Sequence, residues 1–256
     1  MRPEPRRRSV RSDPPGAGVA TCRFLILSVI AALLPAVAAT ADPVFTPYEA
    51  TYEGKISVVP VRAELTLSEA DGVWRFVSTA RTRGWAAWKK GEIEEASRFR
   101  LGDGRPQPLS FTRRDGFSEK DRDLESRFET TEVVSLFRGE ELREPLTAPA
   151  YDLLTLRLVL RLDLAGDRLA PRYDIIDSRG RLRPVEVRRL GEERIRTGMG
   201  EVDTVKLEYV TGSDRRLVVW MAPAWAFEVV RLEQFRDGKL RGWLSLRSRS
   251  LSSQAD

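Results

Sequence analysis

The chain has 256 residues, with 43 lysines and arginines against 38 acidic residues, and it contains one cysteine and no histidine. The absence of histidine excludes Ser-His-Asp catalysis, Cys-His catalysis and His-ligated metal sites, and with them the mechanisms of most hydrolases. A single cysteine cannot form a disulfide within the chain, so a folded domain must be stable through its apolar core alone.

The first 41 residues have the layout of a secretory signal peptide. Three arginines at 6–8 belong to a basic segment, residues 24–39 form an apolar run, and Ala39-Thr40-Ala41 supplies an A-x-A cleavage site. The apolar run is 16 residues long, which is shorter than the roughly 20 residues of a membrane-spanning helix. We therefore predict export to the periplasm, with cleavage of residues 1–41 before Asp42.

Removal of this leader changes the charge of the protein. Residues 1–41 hold six arginines and two acidic residues, which leaves 37 basic and 36 acidic residues and a net charge of +1. A nucleic-acid-binding protein carries a clustered basic surplus, so we expect no nucleic-acid partner. The cysteine, Cys22, is also removed with the leader. Residues 42–256 are expected to form a single β-rich envelope domain.

Alternation of apolar and polar residues dominates the start of the mature chain. It runs over residues 48–58, resumes after Pro60, and continues past the turn signal Ala70-Asp71-Gly72 into a third segment. This pattern predicts an antiparallel meander with one solvated face. Tyr48 and Tyr52 fall on the core side, where they would line a cavity if the sheet closes into a wide barrel.

The next connection, residues 84–91, is unusually apolar for a turn because it contains two tryptophans. In one interpretation both tryptophans fold back onto the core. In the other, the loop touches an apolar ligand or a membrane face, and its two lysines meet anionic headgroups. The adjacent lysines favour an exposed Trp88, whereas we expect Trp85 to pack on the core. The candidate ligand-binding residues are Trp85, Trp88, Lys89, Lys90, Tyr48 and Tyr52.

One helix is predicted among many strands. Asp152 can cap its first turn, the next ten residues are mostly leucine, and Gly166 follows as a stop signal. A helix this apolar must be buried, most simply by covering the open side of a curved sheet. Further strands are expected at 92–101, 107–114, 119–129, 132–138, 172–178, 182–190, 193–197, 201–211, 215–221, 226–236 and 239–249.

The short strands and their regular turn signals predict an all-β fold. We expect a strongly curved antiparallel sheet or a partly closed barrel, with one buried helix near 151–163. Carboxylate chemistry has little support in this fold. Asp174 and Asp177 are offset by three residues, which places them on opposite faces of a strand. Asp121, Asp123 and Glu125 lack the glycine turn of a Ca²⁺ loop. We expect no cofactor and no metal.

Several motifs follow one another in the C-terminal half: Tyr151-Asp152-Leu153-Leu154 and the stretches 177–182, 192–206, 218–223 and 233–240. Their order resembles the DUF3108 family of exported bacterial proteins of unknown function. The resemblance extends over residues 45–249, and it implies an envelope protein with a β-rich fold. One segment departs from the family pattern, since Ala226-Phe227-Glu228-Val229 stands where an apolar-Pro-apolar step is common. We rest no site on that segment.

These patterns predict a non-enzymatic envelope protein that binds an apolar or amphipathic ligand, such as a lipid, inside the curved sheet. The alternative is a structural or scaffolding module whose interior is fully packed and whose strands pair with an envelope protein partner. Hydrolysis by a pair of carboxylates is a remote third reading. The sequence leaves the oligomeric state open.

Overall fold

In the computed structural model, which describes residues 45–88, 91–118, 122–210 and 215–251, the alternating segments form strands. In the first strand Tyr48, Ala50 and Tyr52 are buried, whereas the residues between them are partly or fully exposed. The alternation ends before the strand does. Ile56 lies on the face expected to be buried, yet it is 47% exposed, because the strand extends past the edge of the core.

The described residues contain fifteen strands and one α-helix. No helix among them is long and apolar enough to cross a membrane. The elements are β1 (Tyr48–Ile56), β2 (Val59–Ala70), β3 (Val73–Thr82), β4 (Glu92–Gly102), β5 (Arg105–Asp115), β6 (Leu124–Phe128), β7 (Glu132–Phe137), β8 (Glu140–Pro145), β9 (Ala150–Tyr151), α1 (Leu153–Ala165), β10 (Arg172–Ile176), β11 (Leu182–Thr197), β12 (Gly200–Val210), β13 (Arg215–Ala222), β14 (Glu228–Arg236) and β15 (Lys239–Leu251).

All fifteen strands belong to one sheet, in the order β8-β7-β6-β5-β4-β3-β2-β1-β15-β14-β13-β12-β11-β10-β9. Consecutive strands pair as antiparallel neighbours, and only the short β9 runs parallel to β10. The two halves of the chain meet where β1 pairs with β15, with Tyr48 opposite Leu251 and Ile56 opposite Gly242. The edge strands β8 and β9 are not paired with each other, so the sheet is not closed by hydrogen bonds.

The helix begins at Asp152, as the sequence predicts. The buried Asp152 carboxylate accepts hydrogen bonds from the backbone N–H of Leu154 at 2.9 Å and of Thr155 at 3.0 Å. It also accepts a bond of 2.6 Å from the Ser97 hydroxyl of β4, so the cap ties the helix to the sheet. Gly166 caps the other end. The observed bounds, Leu153–Ala165, lie two residues beyond the predicted 151–163.

Leucines on several sides of α1 bury it between two apolar clusters. Leu154 and Leu158 pack in the cluster that includes Tyr48, Phe76 and Phe99. The second cluster forms between α1 and the strands β10 to β14, and its helical members are Leu156, Val159, Leu160 and Leu164. The prediction of a curved, mostly antiparallel sheet around one buried helix is confirmed.

The sheet curves far enough for its two halves to touch away from the β1–β15 pair. The turn between β10 and β11 has Gly180 buried against β6 and β7. A Cβ atom at Gly180 would lie 2.5 Å from the Cβ of Ser135 and 3.1 Å from a methyl carbon of Leu124. The halves therefore approach each other here through close packing, not through strand pairing.

Two strand predictions need correction, and two strands, β8 and β9, are not predicted. The segments 182–190 and 193–197 form one strand, β11, in which the register with β12 shifts between Arg189 and Gly191. The segment 119–129 contributes only β6 to the described residues. The charged strand β8 was not predicted, because its sequence Glu-Glu-Leu-Arg-Glu-Pro carries little apolar alternation.

Candidate functional site

The predicted tryptophan loop is a short 3-10 turn, Gly84–Ala86, that leaves both tryptophans in solvent. Trp85 is 67% exposed and Trp88 is 78% exposed, whereas Ala86 is only 4% exposed. The expectation that Trp85 packs on the core is therefore wrong, because Ala86 is the residue that anchors the turn. Lys89 and Lys90 lie outside the described residues, and their role stays a prediction.

Backbone hydrogen bonds hold this loop beside two other turns at the same end of the sheet. The N–H of Arg83 donates to the carbonyl of Pro60 on β2 at 3.0 Å, and the N–H of Ser57 donates to the carbonyl of Arg241 on β15 at 2.5 Å. Three more large apolar side chains are exposed there. We call the set the tryptophan end; its members are Trp85, Trp88, Val58 (75% exposed), Leu240 (50%) and Ile56 (47%).

Positive charge borders the tryptophan end. Lys55 on β1 and Lys239 and Arg241 on β15 are exposed beside it. The carboxylate of Glu53 is engaged by two arginines, since it forms ion pairs with Arg83 and, at 3.0 Å, with Arg247. Hydrogen bonding to Arg83 lowers the pKa of Glu53. The described surface at this end therefore combines aromatic side chains with cations.

Tyr48 and Tyr52 are buried on the inner face of β1, as predicted, but their neighbours are charged side chains. The single proton of the Tyr52 hydroxyl has two acceptors within reach, the carbonyl of Val229 at 2.7 Å and Glu228 Oε1 at 3.0 Å. Arg157 of α1 places Nη2 2.6 Å from both Glu228 Oε1 and the Tyr52 hydroxyl. The guanidinium of Arg161 lies 5.5 Å from the centre of the Tyr48 ring.

Glu228 is the centre of this polar cluster, which consists of Tyr48, Tyr52, Arg157, Arg161 and Glu228. Arg161 Nη1 lies 2.8 Å from Glu228 Oε2, and both side chains are at most 1% exposed. Burial alone would raise the pKa of Glu228, but the two nearby guanidiniums outweigh it and lower the pKa to about 2. The carboxylate is thus ionised inside the sheet.

The polar cluster is built on the segment that departs from the family pattern. Ala226 and Phe227 both adopt positive φ, at 50° and 58°, which is uncommon for residues with side chains. The Phe227 N–H donates to the carbonyl of Ala222 at 2.8 Å, and the Ala226 carbonyl accepts from Arg161 Nε at 2.9 Å. This bend turns Glu228 inward. The segment on which the sequence analysis placed no site therefore carries the central residue of the polar cluster.

A second buried carboxylate ties α1 to both halves of the sheet. Asp163 accepts two hydrogen bonds from Arg105 of β5, at 2.7 and 3.1 Å, and one of 2.7 Å from the Tyr173 hydroxyl of β10. Hydrogen bonding to Asp163 raises the pKa of Arg105. These contacts hold the C-terminal part of the helix in place, which is a structural role.

The carboxylates considered for catalysis or Ca²⁺ binding have other partners. Asp177 Oδ1 accepts from the backbone N–H of Arg179 at 2.8 Å and of Arg181 at 3.1 Å, so it shapes a turn. Asp123 and Glu125 both form ion pairs with Arg114, while Asp121 lies outside the described residues. Over the described ranges, no three acidic or cysteine side chains group to hold a metal ion.

An open pocket of about 290 Å³ lies elsewhere, on the paired strands β11 and β12 beside Pro223. Charged and polar side chains dominate its lining, and none of the predicted ligand-binding residues contributes to it. Its lining residues are Glu192, Glu193, Arg194, Asp203, Thr204, Val205 and Pro223.

Comparison with known proteins supports the fold and identifies the family. A crystal structure of a β-barrel-like protein of the domain of unknown function DUF1849, from Brucella abortus, matches 82% of this chain and 99% of its own, with a TM-score of 0.54 and 10% identity. MucB matches 82% of this chain and 55% of its own at 11% identity, with a TM-score of 0.35, too low to argue from. No curated protein gave a significant match. Residues 47–241 match the model of the DUF3108 family, described as a protein of unknown function, and the chain belongs to that family.

Proposed function

We propose that this protein is a non-enzymatic envelope module that binds an amphipathic ligand at its tryptophan end. The observation that carries the proposal is the exposure of Trp85 and Trp88, at 67% and 78%. Each tryptophan offers about 150–250 Å² of contact area. Several large apolar side chains exposed at one end of a sheet are characteristic of binding surfaces.

The border of the tryptophan end indicates the ligand chemistry. Tryptophan suits a boundary between apolar and aqueous surroundings, because its ring is apolar and its N–H is polar. Lys55, Lys239 and Arg241 are exposed nearby, and Lys89 and Lys90 follow Trp88 in the sequence. An apolar chain with an anionic headgroup matches both features. We infer a lipid or a lipid-like amphiphile.

Location in the envelope rests on the N-terminal sequence. The basic segment, the apolar run of 24–39 and the A-x-A site favour export and cleavage before Asp42. Mass spectrometry of protein recovered from the periplasm should find a chain that starts at or near Asp42. A chain that retains residue 1 would contradict export by this route.

A scaffolding role is the second candidate, and one observation favours it. Helix α1 and its two apolar clusters occupy the inner face of the sheet, as expected for a packed interior. In that case the tryptophan end would contact a protein partner. The two functions differ in whether the isolated protein binds a lipid at all.

The test measures the affinity of the exported protein for lysophosphatidylglycerol, an anionic single-chain lipid. Trp85→Ala/Trp88→Ala should bind it at least about tenfold more weakly, since central aromatic contacts each contribute more than about 1 kcal/mol. The control is Leu136→Ala/Leu190→Ala, which removes two side chains that are 47% and 48% exposed on β7 and β11. Equal affinity of both variants would contradict the proposal, and failure of the wild type to bind would favour the scaffold.

A further inference from the structure

We propose that the polar cluster inside the sheet is an oxyanion site, in which Arg157 Nε and the Tyr209 hydroxyl bind a carboxylate or a phosphate. This site lies on the inner face and does not depend on ligand binding at the tryptophan end. Three features indicate this site: an imbalance of buried charge, polar atoms without partners, and the partial exposure of the Arg157 side chain.

The charge of the polar cluster does not balance. Two guanidiniums, Arg157 and Arg161, face one carboxylate, Glu228. Burial would lower the pKa of Arg157, but Tyr52 and Glu228 counteract it and the pKa is raised. An arginine guanidinium stays protonated in proteins, so the cluster carries one positive charge in excess. Burying an unbalanced charge is costly unless a counter-charge accompanies it, so the site favours an anion.

Hydrogen-bonding capacity is also left over at Arg157 and at Tyr209. Within the described part of the chain, the Nε of Arg157 and the hydroxyl of Tyr209 are buried without a hydrogen-bond partner. Burial raises the pKa of Tyr209, and the nearby Arg157 guanidinium opposes that rise. Both atoms can donate to an oxygen, whereas most buried polar groups in proteins are already paired.

Over the described ranges, the Tyr48 hydroxyl is also buried without a hydrogen-bond partner, whereas Arg161, Glu228 and Tyr52 show where an anion would not sit. Arg161 Nη1 and Glu228 Oε2 are in contact at 2.8 Å, although without an aligned hydrogen bond. Tyr52 is fully engaged with Glu228 and the Val229 carbonyl. An incoming oxygen would compete with existing contacts at these groups. At Arg157 Nε and at the Tyr209 hydroxyl, an incoming oxygen would not replace a hydrogen bond to any described residue.

Accessibility distinguishes Arg157 from the residues behind it. Its side chain is 16% exposed, whereas those of Arg161 and Glu228 are 1% and 0% exposed. Part of the Arg157 side chain is therefore in contact with solvent, while its Nε is buried. Tyr209 belongs to the apolar cluster beside it, together with Phe227 and Leu232, which suits an anion attached to an apolar chain.

The experiment measures binding by calorimetry with three probes: inorganic phosphate, decanoate and the neutral decanol. Binding of phosphate and decanoate but not decanol shows a site for free oxyanions. Binding of decanoate alone shows a site for the headgroup of an apolar chain, provided that Trp85→Ala/Trp88→Ala binds decanoate with wild-type affinity. Either result supports the proposal. If neither anion binds more tightly than about 1 mM, the unpartnered atoms bind water only, and the proposal is overturned.

Two variants locate the site. Arg157→Gln and Tyr209→Phe should each weaken anion binding about tenfold, the loss expected for one hydrogen bond to a charged group. If Arg157→Gln does not fold, Tyr209→Phe decides, because it removes a hydroxyl that has no partner among the described residues. The control is Tyr173→Phe. The Tyr173 hydroxyl already donates to Asp163, so its removal should leave the affinity for the anion unchanged. Wild-type affinity in Tyr209→Phe would overturn the proposal.

The tryptophan variant separates the two proposals. Trp85→Ala/Trp88→Ala should retain wild-type affinity for inorganic phosphate, because both side chains are exposed at the end of the sheet. A tenfold loss of phosphate affinity in that variant would overturn the placement at Arg157. If this variant loses lipid binding but retains phosphate binding, the result supports an oxyanion site that is separate from the tryptophan end.

Discussion

Arg161 on the helix and Glu228 on β14 form an ion pair at 2.8 Å with almost no exposure to solvent. This contact joins α1 to the half of the sheet that follows it in sequence. Asp152 and Asp163 join the same helix to β4 and to β5 and β10. The helix is therefore held by specific polar contacts as well as by its leucines, and this arrangement fixes its orientation inside the sheet.

Neutralising Glu228 should be strongly destabilising. Glu228→Gln leaves Arg157 and Arg161 buried without a counter-charge, and the loss of one member of a buried pair typically costs about 3–5 kcal/mol. Urea denaturation measures the change in the free energy of unfolding. Arg161→Met/Glu228→Leu should recover part of the loss, because it removes the most deeply buried charge together with its partner. Glu64→Gln is the control; its pair with Arg62 is half exposed and contributes at most about 1 kcal/mol.

The same carboxylate makes stability depend on pH in the acid range. The pKa of Glu228 is lowered from 4.5 to about 2 in the folded protein. A lowered carboxyl pKa adds stability that is complete above the unfolded value and is lost as pH falls through the folded value. We expect Glu228 to contribute on the order of 3 kcal/mol above about pH 5 and to lose that contribution between about pH 4.5 and 2.

Comparison of the wild type with Glu228→Gln isolates this effect. Burial raises the pKa of Asp152, so that group acts with the opposite sign, but it is present in both proteins. The difference in unfolding free energy between them should shrink as the pH falls from 5 to 2. A difference that stays constant over this range would contradict the ionised state of Glu228.

Removing the exposed tryptophans should leave the fold nearly as stable as before. Surface substitutions usually change stability by about 0.5 kcal/mol or less, so Trp85→Ala/Trp88→Ala should cost no more than about 1 kcal/mol. Trp220→Ala is the matched contrast, because Trp220 is 5% exposed and its Nε1 donates to Glu193 at 3.0 Å. That variant should lose about 3–5 kcal/mol. A comparable loss in the double variant would mean that the loop packs on the core.

Local residue patterns predict most of the strands and the helix. The alternation around Tyr48 and Tyr52 predicts which face of β1 is buried. Asp152 and the leucines that follow it predict the position of α1. The pairing of β1 with β15 was not predictable, because it joins segments almost 200 residues apart and neither strand carries a signal for its partner. β8 is not predicted because its mostly charged sequence shows little alternation of apolar and polar residues.

The polar cluster was missed for a different reason. Glu228 follows an exceptional bend at Ala226 and Phe227, and an acidic residue beside a bend is ordinarily read as solvent-exposed. One signal was available in the sequence. Arg157 and Arg161 are spaced four residues apart, so they share a face of a helix that is otherwise apolar. Two charges on one face of a buried helix require a buried partner.

The contact between the two halves of the sheet can be tested at Gly180. This residue has φ of +77°, and a Cβ there would approach the Cβ of Ser135 to 2.5 Å. Gly180→Ala should therefore suffer both backbone strain, about 1–2 kcal/mol for a left-handed residue, and a steric clash with β7.

Gly139→Ala separates these two costs. Gly139 has the same φ of +77°, but nothing lies within 4 Å of the Cβ position, so only the backbone strain applies. We expect Gly180→Ala to lower the free energy of unfolding by about 1–3 kcal/mol more than Gly139→Ala, the range typical of overpacking. Equal losses in urea denaturation would show that the β10–β11 turn can move away from β7 without cost.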